Sequence, residues 1–238
     1  MKNSITKLFL IALLGSCSAP KKDMQVIIEV KDLKKGTLYL ERFLDSALVE
    51  VDSIFIGRDE AVVLQSNLNH PELFYVHLDR NQKDDIDNRI PFFGQAGKIS
   101  IQTTLDDFLT KAKISGSPTQ EIYDAYLQVI HQFNNEELDL LAAYLQAQVR
   151  ENSDSLALIE QQTASLTKRK ILFTVNFAVN NSNSVIAPYL ALSELSTVSK
   201  SLLDTIATSM SEDVANSRYG MLLTEYLSEL ETELGFIK

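Results

Sequence analysis

Ile114-Ser115-Gly116-Ser117-Pro118-Thr119-Gln120 is the stretch at which the hydrophobic period of the chain changes from two to about 3.6. Ser117 offers a helix N-cap oxygen. Pro118 takes the first helical position, where a missing N–H costs nothing, and Gln120 takes the third, the arrangement of a capping box. An all-strand segment is therefore expected before this point and an all-helix segment after it. The predicted fold class is α+β: an antiparallel β-sandwich or barrel-like sheet over 25–115, then a helical region over 117–238.

Upstream, Val26, Ile28 and Val30 alternate with Gln25, Ile27 and Glu29, and Leu38 and Leu40 alternate with Tyr39 and Glu41. Val49, Val51 and Phe55, then Val62 and Leu64, then Phe74, Val76 and Leu78, then Ile99 and Ile101 continue the series, which suits half-buried strands. The polar run from Asp79 to Asn88 reads as a hairpin cap. Downstream, Ile122, Tyr126, Ile130 and Phe133 form one helical stripe, and Leu138, Leu141, Ala142, Leu145 and Val149 a second. A third helix is expected from Ser155 to about Val179. Another follows the Asn180–Ser184 break, with Pro188 in its first turn and its end at Leu195. A last helix carries Tyr219, Leu222, Leu223, Tyr226, Leu227, Leu230 and Leu234 on one side, leaving Glu225, Glu229, Glu231 and Glu233 to water.

The N-terminus reads as an export signal over 1–16. Lys2 and Lys7 precede an apolar run, Leu8 to Leu14, that is too short to span a bilayer. Leu14-Gly15-Ser16-Cys17 resembles the lipobox of bacterial lipoproteins, which implies cleavage before Cys17 and a lipid on its sulfur. Residues 17–24 then form a short lipidated tether. The residues after Cys17 carry no acidic cluster of the kind associated with surface export, so the expected address is the outer membrane, facing the periplasm. Cys17 is the only cysteine, so acylation leaves no thiol for disulfide, redox or metal chemistry.

Loss of Lys2 and Lys7 with the leader leaves 20 of the 22 basic residues against 32 acidic ones, a formal charge of −12. Such a surface repels nucleic acid, which is excluded as a partner. His70, His77 and His131 are too scattered for a histidine metal site, and His77 reads as a half-exposed strand residue. Asp79, Asn81, Asp84, Asp85 and Asp87 lack the glycine and terminal glutamate of a calcium loop, with Lys83 among them, and read as solvated. Neighbouring acids at Asp106 and Asp107, or Glu136 and Glu137, point in different directions on regular elements. No catalytic residue, metal or cofactor is assigned.

Several short motifs occur in a recognisable order: Val51-Asp52-Ser53, Asn69-His70-Pro71-Glu72-Leu73, Ile90-Pro91-Phe92-Phe93, Gly97-Lys98-Ile99, Ile114-Ser115-Gly116-Ser117 and Asn183-Ser184-Val185-Ile186-Ala187-Pro188. Together they resemble the uncharacterised N-terminal domain of thioredoxin-like lipoproteins of Bacteroidota, over roughly residues 24 to 220. In that family a thioredoxin-like domain with a C-x-x-C motif follows. Here the expectation is that this catalytic half is absent, so no active-site residue carries over.

The expected function is a non-enzymatic binding or interaction module in the cell envelope, with an envelope protein as partner. The alternatives are an accessory or truncated relative of a thioredoxin-like oxidoreductase, and a cryptic hydrolase built from scattered Ser, Asp and His residues. Asp45-Ser46-Ala47, Asp52-Ser53-Ile54, Asp154-Ser155-Leu156 and Asp204-Thr205-Ile206 resemble the Asp-Ser/Thr-apolar sites O-glycosylated in exported proteins of that phylum. Local turn and cap chemistry favours the same residues. Ser155, read as part of an inter-helix loop, is the leading candidate, ahead of Ser46, Thr205 and Ser53.

Overall fold

A computed structural model describes residues 22–44, 47–57, 60–80 and 88–236. The strands are β1 (Met24–Lys31), β2 (Gly36–Leu44), β3 (Ala47–Ile56), β4 (Val62–Ser66), β5 (Glu72–Asp79), β6 (Arg89–Gly94), β7 (Gly97–Thr104) and β8 (Lys113–Ser115). The helices that follow are α1 (Pro118–Val149), α2 (Ser153–Asn180), α3 (Ile186–Ser193), α4 (Lys200–Ser209), α5 (Glu212–Ala215) and α6 (Arg218–Phe236). The protein is α+β, a two-sheet β region followed by helices.

One sheet has the order β4-β1-β7-β8 and the other β3-β2-β5-β6. All pairings are antiparallel except β1 with β7, which run parallel from Met24↔Gly97 to Lys31↔Thr104. The alternating residues forecast for β1, β2, β5 and β7 meet between the sheets: Val26, Ile28, Leu38, Leu40, Phe74, Val76, Leu78, Ile99 and Ile101 are all buried in one core. Leu33, Leu105 and Phe108 close one end of it with apolar side chains. The Thr103 hydroxyl, donating to Phe108 O at 2.8 Å, holds that lid in place.

β3 departs from the forecast. Its register against β2 slips between Leu40↔Asp52 and Glu41↔Glu50, leaving Val51 as the extra residue of a bulge. Side-chain parity reverses there, so Ile54 and Ile56 turn inward and Phe55 is 61% exposed. The Asp52 carboxylate reaches across to β4 and accepts from Gln65 N at 2.7 Å, which occupies an edge donor that could otherwise recruit another strand.

At the opposite end of the sandwich the closure is ionic. Glu72 lies on the inward side of β5 and takes Arg42 Nη1 on Oε1 at 2.5 Å and Arg218 Nη1 on Oε2 at 3.2 Å. Arg218, the first residue of α6, also donates to the Phe43 carbonyl. The Arg42 guanidinium stands 5.9 Å from the centre of the Phe74 ring.

The helices attach beside this plug through Phe93 on β6, an edge strand. Phe93 N donates to Gln120 Oε1 at 2.7 Å and the Ser117 hydroxyl donates to Phe93 O at 2.7 Å. Ser117 also accepts from Gln120 N at 3.2 Å, so the forecast N-cap forms. The reciprocal half of the capping box does not, because the Gln120 side chain is spent on β6 and on Asp124. Gly116 lies at φ +86°, and a Cβ there would stand 2.4 Å from Lys98 O, so the turn into α1 requires glycine.

The two forecast stripes over 122–149 belong to one 32-residue helix, α1, not two. It is joined to α2 by a short connection, and the pair forms a hairpin. Arg169 to Glu136 at 2.6 Å and Lys170 to Glu137 at 3.4 Å clamp the two helices. The base of the hairpin is buried by α3, α4 and α6: Val175, Ala178, Ala191, Leu203, Ile206 and Leu223 share one cluster. Gly220 lets α6 approach α5, since a Cβ there would stand 2.2 Å from Val214 O.

Candidate functional site

Beyond Phe133 the hairpin leaves the rest of the fold as an arm, and sixteen further residues of α1 carry it about 24 Å outward. Two helices side by side cannot bury all their apolar surface. Ala147, Ile159 and Leu166 are buried. The second forecast stripe is not: Leu138 is 62% exposed, Leu141 53%, Leu145 52% and Val149 85%. A periodic apolar stripe would normally mark a core face, and here the described residues place nothing over it.

Of these four residues, Leu141 also lines a groove of about 980 Å³, walled by α1, by α2 and by the connection from α3 into the first turn of α4. Leu140, Leu141, Tyr144, Ile171, Leu172 and Leu202 supply its apolar surface. Thr163 and Thr167 line it as well, but their hydroxyls donate to Ile159 O and Thr163 O, each at 2.9 Å. The threonines therefore present methyl groups with their donors already engaged. Charge is confined to Glu137, Glu160 and Lys168. Such a groove holds an apolar group by desolvation and offers few fixed polar contacts to orient a reacting one.

Phenols with displaced equilibria lie elsewhere, at the junction of sheet and helices. Burial raises the phenols of Tyr126 and Tyr219 to about 12 and pushes Tyr123 and Tyr189 up as well. These rings pack around Phe93, with Tyr123 and Tyr189 edge-on at 5.1 and 5.0 Å between centroids. They stay protonated, as a neutral aromatic joint should.

The residues singled out from sequence are dispersed. His77 Nδ1 lies 3.1 Å from Glu41 Oε1, with its ring stacked on Tyr39 at 5.6 Å. His70 Nε2 is 3.7 Å from Asp213, and His131 is exposed on α1. Among the described residues no group of three His, Cys, Asp or Glu could hold a metal ion, and no helix is long and apolar enough to cross a membrane. Ser53 is exposed on β3, its hydroxyl donating to Glu50 at 2.6 Å. Thr205 is exposed on α4, with its hydroxyl on Ser201 O.

Ser155 is not in a loop. α2 begins at Ser153 with Asn152 as N-cap, and Ser155 N donates to the Asn152 side chain at 3.1 Å, so Ser155 sits half-buried in the first helical turn. Cys17, the leader, Ser46, Asn81, Lys83, Asp84, Asp85 and Asp87 lie outside the described residues.

Fold and groove together define a β-sandwich carrying a helical arm with an open apolar face. Residues 24–123, the sandwich and the first turns of α1, match the family described as a domain of unknown function, DUF4369. No curated protein and no solved structure matches the chain.

Proposed function

We propose that this protein is an exported, lipid-anchored interaction module of the cell envelope, non-enzymatic, whose working surface is the groove on the helical arm. The occupant is an amphipathic helix of a partner protein. The observation that carries this reading is the apolar groove between α1 and α2, edged by Val198 and Leu202 and flanked by the exposed stripe on α1. From Glu160 to Leu172 the α2 wall extends about 18 Å, the length of three helical turns, which suits anchors at i, i+3 or i+4, and i+7.

A photoreactive side chain at Leu141 is expected to crosslink in native envelopes to one protein, on a segment with that spacing, while the same probe at exposed Lys34 does not. Leu141→Asp combined with Leu172→Asp should abolish the crosslink formed from Leu145. Stability should change by about 0.5–1 kcal/mol per site, since both side chains are about half exposed. Retention of the partner by the double variant, or a concentration-dependent dimer that it dissolves, would overturn this assignment. The resemblance to the N-terminal domain of thioredoxin-like lipoproteins supports a second reading, an accessory to a separately encoded enzyme of that kind. A crosslinked segment from such an enzyme would select it.

The address rests on the lipobox at Leu14-Gly15-Ser16-Cys17. Acyl chains contribute about 0.8 kcal/mol per buried methylene, so a multiply acylated Cys17 holds the chain on a membrane. Cys17→Ser is expected to move the protein from the membrane fraction to a soluble or uncleaved form. A serine variant still processed, and still sedimenting with membranes after a salt wash, would end the lipid-anchor reading.

A further inference from the structure

A second cavity, of about 580 Å³, lies between α3 and α6, lined among others by Tyr189, Tyr219, Tyr226, Leu222, Glu225 and Glu229. The rings of Tyr189 and Tyr219 stand 5.4 Å apart at 70°, so two aromatic walls meet almost at right angles. The hydroxyls are already engaged, that of Tyr189 with Tyr123 and Ser193. The Tyr219 hydroxyl accepts from Leu73 N at 3.0 Å, and the Tyr226 hydroxyl donates to Ser196 O at 2.5 Å. What the tyrosines offer the cavity is therefore ring surface, negative over its face.

Charge at the cavity has one sign. Glu225 and Glu229 are one turn apart on α6, a spacing at which like charges repel, and no lysine or arginine lines the cavity. Neither glutamate has an ion-pair partner among the described residues, whereas Glu231 on the same helix is paired with Lys200 at 2.8 Å. Glu194, at the end of α3, adds to the negative field on Tyr189. Aromatic walls beside unneutralised carboxylates suit a cation with an alkyl surface. A compact, strongly hydrated metal ion would gain nothing from the rings.

We propose that this cavity binds an alkylated ammonium group, its methyl groups against Tyr189 and Tyr219 and its charge near Glu225 and Glu229. Cation–π attraction and the carboxylate field act together on such a group. The group could arrive on a free small molecule or on a lipid headgroup, and the two sources differ by a phosphate next to the ammonium.

The chain has eight tyrosines and no tryptophan, so its intrinsic emission reports on tyrosine, and three of the eight line this cavity. Tetramethylammonium chloride, titrated into the full-length protein at constant ionic strength, is expected to change that emission saturably, while sodium chloride does not. Glu225→Gln combined with Glu229→Gln, on the exposed side of α6, should weaken binding at least tenfold without altering the far-ultraviolet circular dichroism. Tighter binding of choline than of glycerophosphocholine assigns a free ammonium compound, and the reverse order assigns a headgroup. A linear response equal to that of sodium, or unchanged affinity in the double variant, overturns the site.

Discussion

Phe93→Ala is expected to lower the unfolding free energy by about 4 kcal/mol, near the upper part of the range for truncating a buried phenylalanine. The ring is 0% exposed and sits where sheet and helices meet, in one cluster with Tyr126, Ile130, Ile186 and Leu190. Tyr123 and Tyr189 both approach it edge-on, so its removal also strips two aromatic contacts. The backbone bonds from Phe93 to Ser117 and Gln120 need no ring and should survive. The cavity therefore opens inside a joint that remains stapled, and it cannot collapse by letting the helices swing away. Urea denaturation followed by far-ultraviolet circular dichroism measures the loss, and a decrease below about 1 kcal/mol would show that the joint is not packed as described.

Glu72→Ala carries the second large effect, expected at about 3 kcal/mol. Its carboxylate is the counter-charge of both Arg42 and Arg218, with side-chain exposures of 10% for Glu72 and 28% and 35% for the arginines. Removing one member of a buried ionic cluster leaves the others unpaired and typically costs 3–5 kcal/mol, and the partial hydration of both guanidinium groups places this case at about the lower bound. Two positive charges would then face each other at the end of the sandwich. The triple replacement Arg42→Met, Glu72→Leu and Arg218→Met should recover most of the loss, because an apolar plug needs no desolvation of charge. If the single alanine variant unfolds at the wild-type denaturant concentration, Glu72 is not the hinge pin between β5 and α6.

The core of the sandwich was readable because its period is strict. Val26, Ile28, Leu38, Leu40, Phe74, Val76 and Leu78 alternate with polar or half-exposed residues, and each faces the core. Phe55 was misplaced because a bulge adds a residue without leaving any mark in composition, and parity arguments fail past such a point. The fate of Gln120 was illegible for a different reason. Position and residue type suit a capping box, but Phe93 N, from an edge strand 27 positions earlier, competes for the same side-chain oxygen. α4 and α5 carry few apolar repeats: Leu203 and Ile206 are buried in one and Val214 in the other, too few to establish a period.

The candidate groove was half legible. Leu138, Leu141, Leu145 and Val149 declare a helical stripe, of which Leu141 lines the groove, yet a stripe does not say whether its cover comes from the same chain. The α2 wall is hidden further by Thr163 and Thr167, whose polarity in sequence is cancelled by bonds to their own helix. The tyrosine cavity depends on Tyr189 and Tyr219, brought together only by the packing of α3 against α6.

The parallel pairing of β1 with β7 bears on the order in which the chain can assemble. β1 is the first strand among the described residues and stands inside its sheet, between β4 and β7, with partners as far as 73 positions along the chain. Synthesis from the N-terminus therefore delivers an apolar strand, Met24 to Lys31, long before the neighbour that completes its hydrogen bonding. β4 arrives first and supplies one side. The other side waits for Gly97 to Thr104, and until then it offers an open ladder to any extended peptide nearby. Closure over such a separation is slow, so the time between emergence of β1 and arrival of β7 is when this protein is most open to mispairing and to capture by a holding factor.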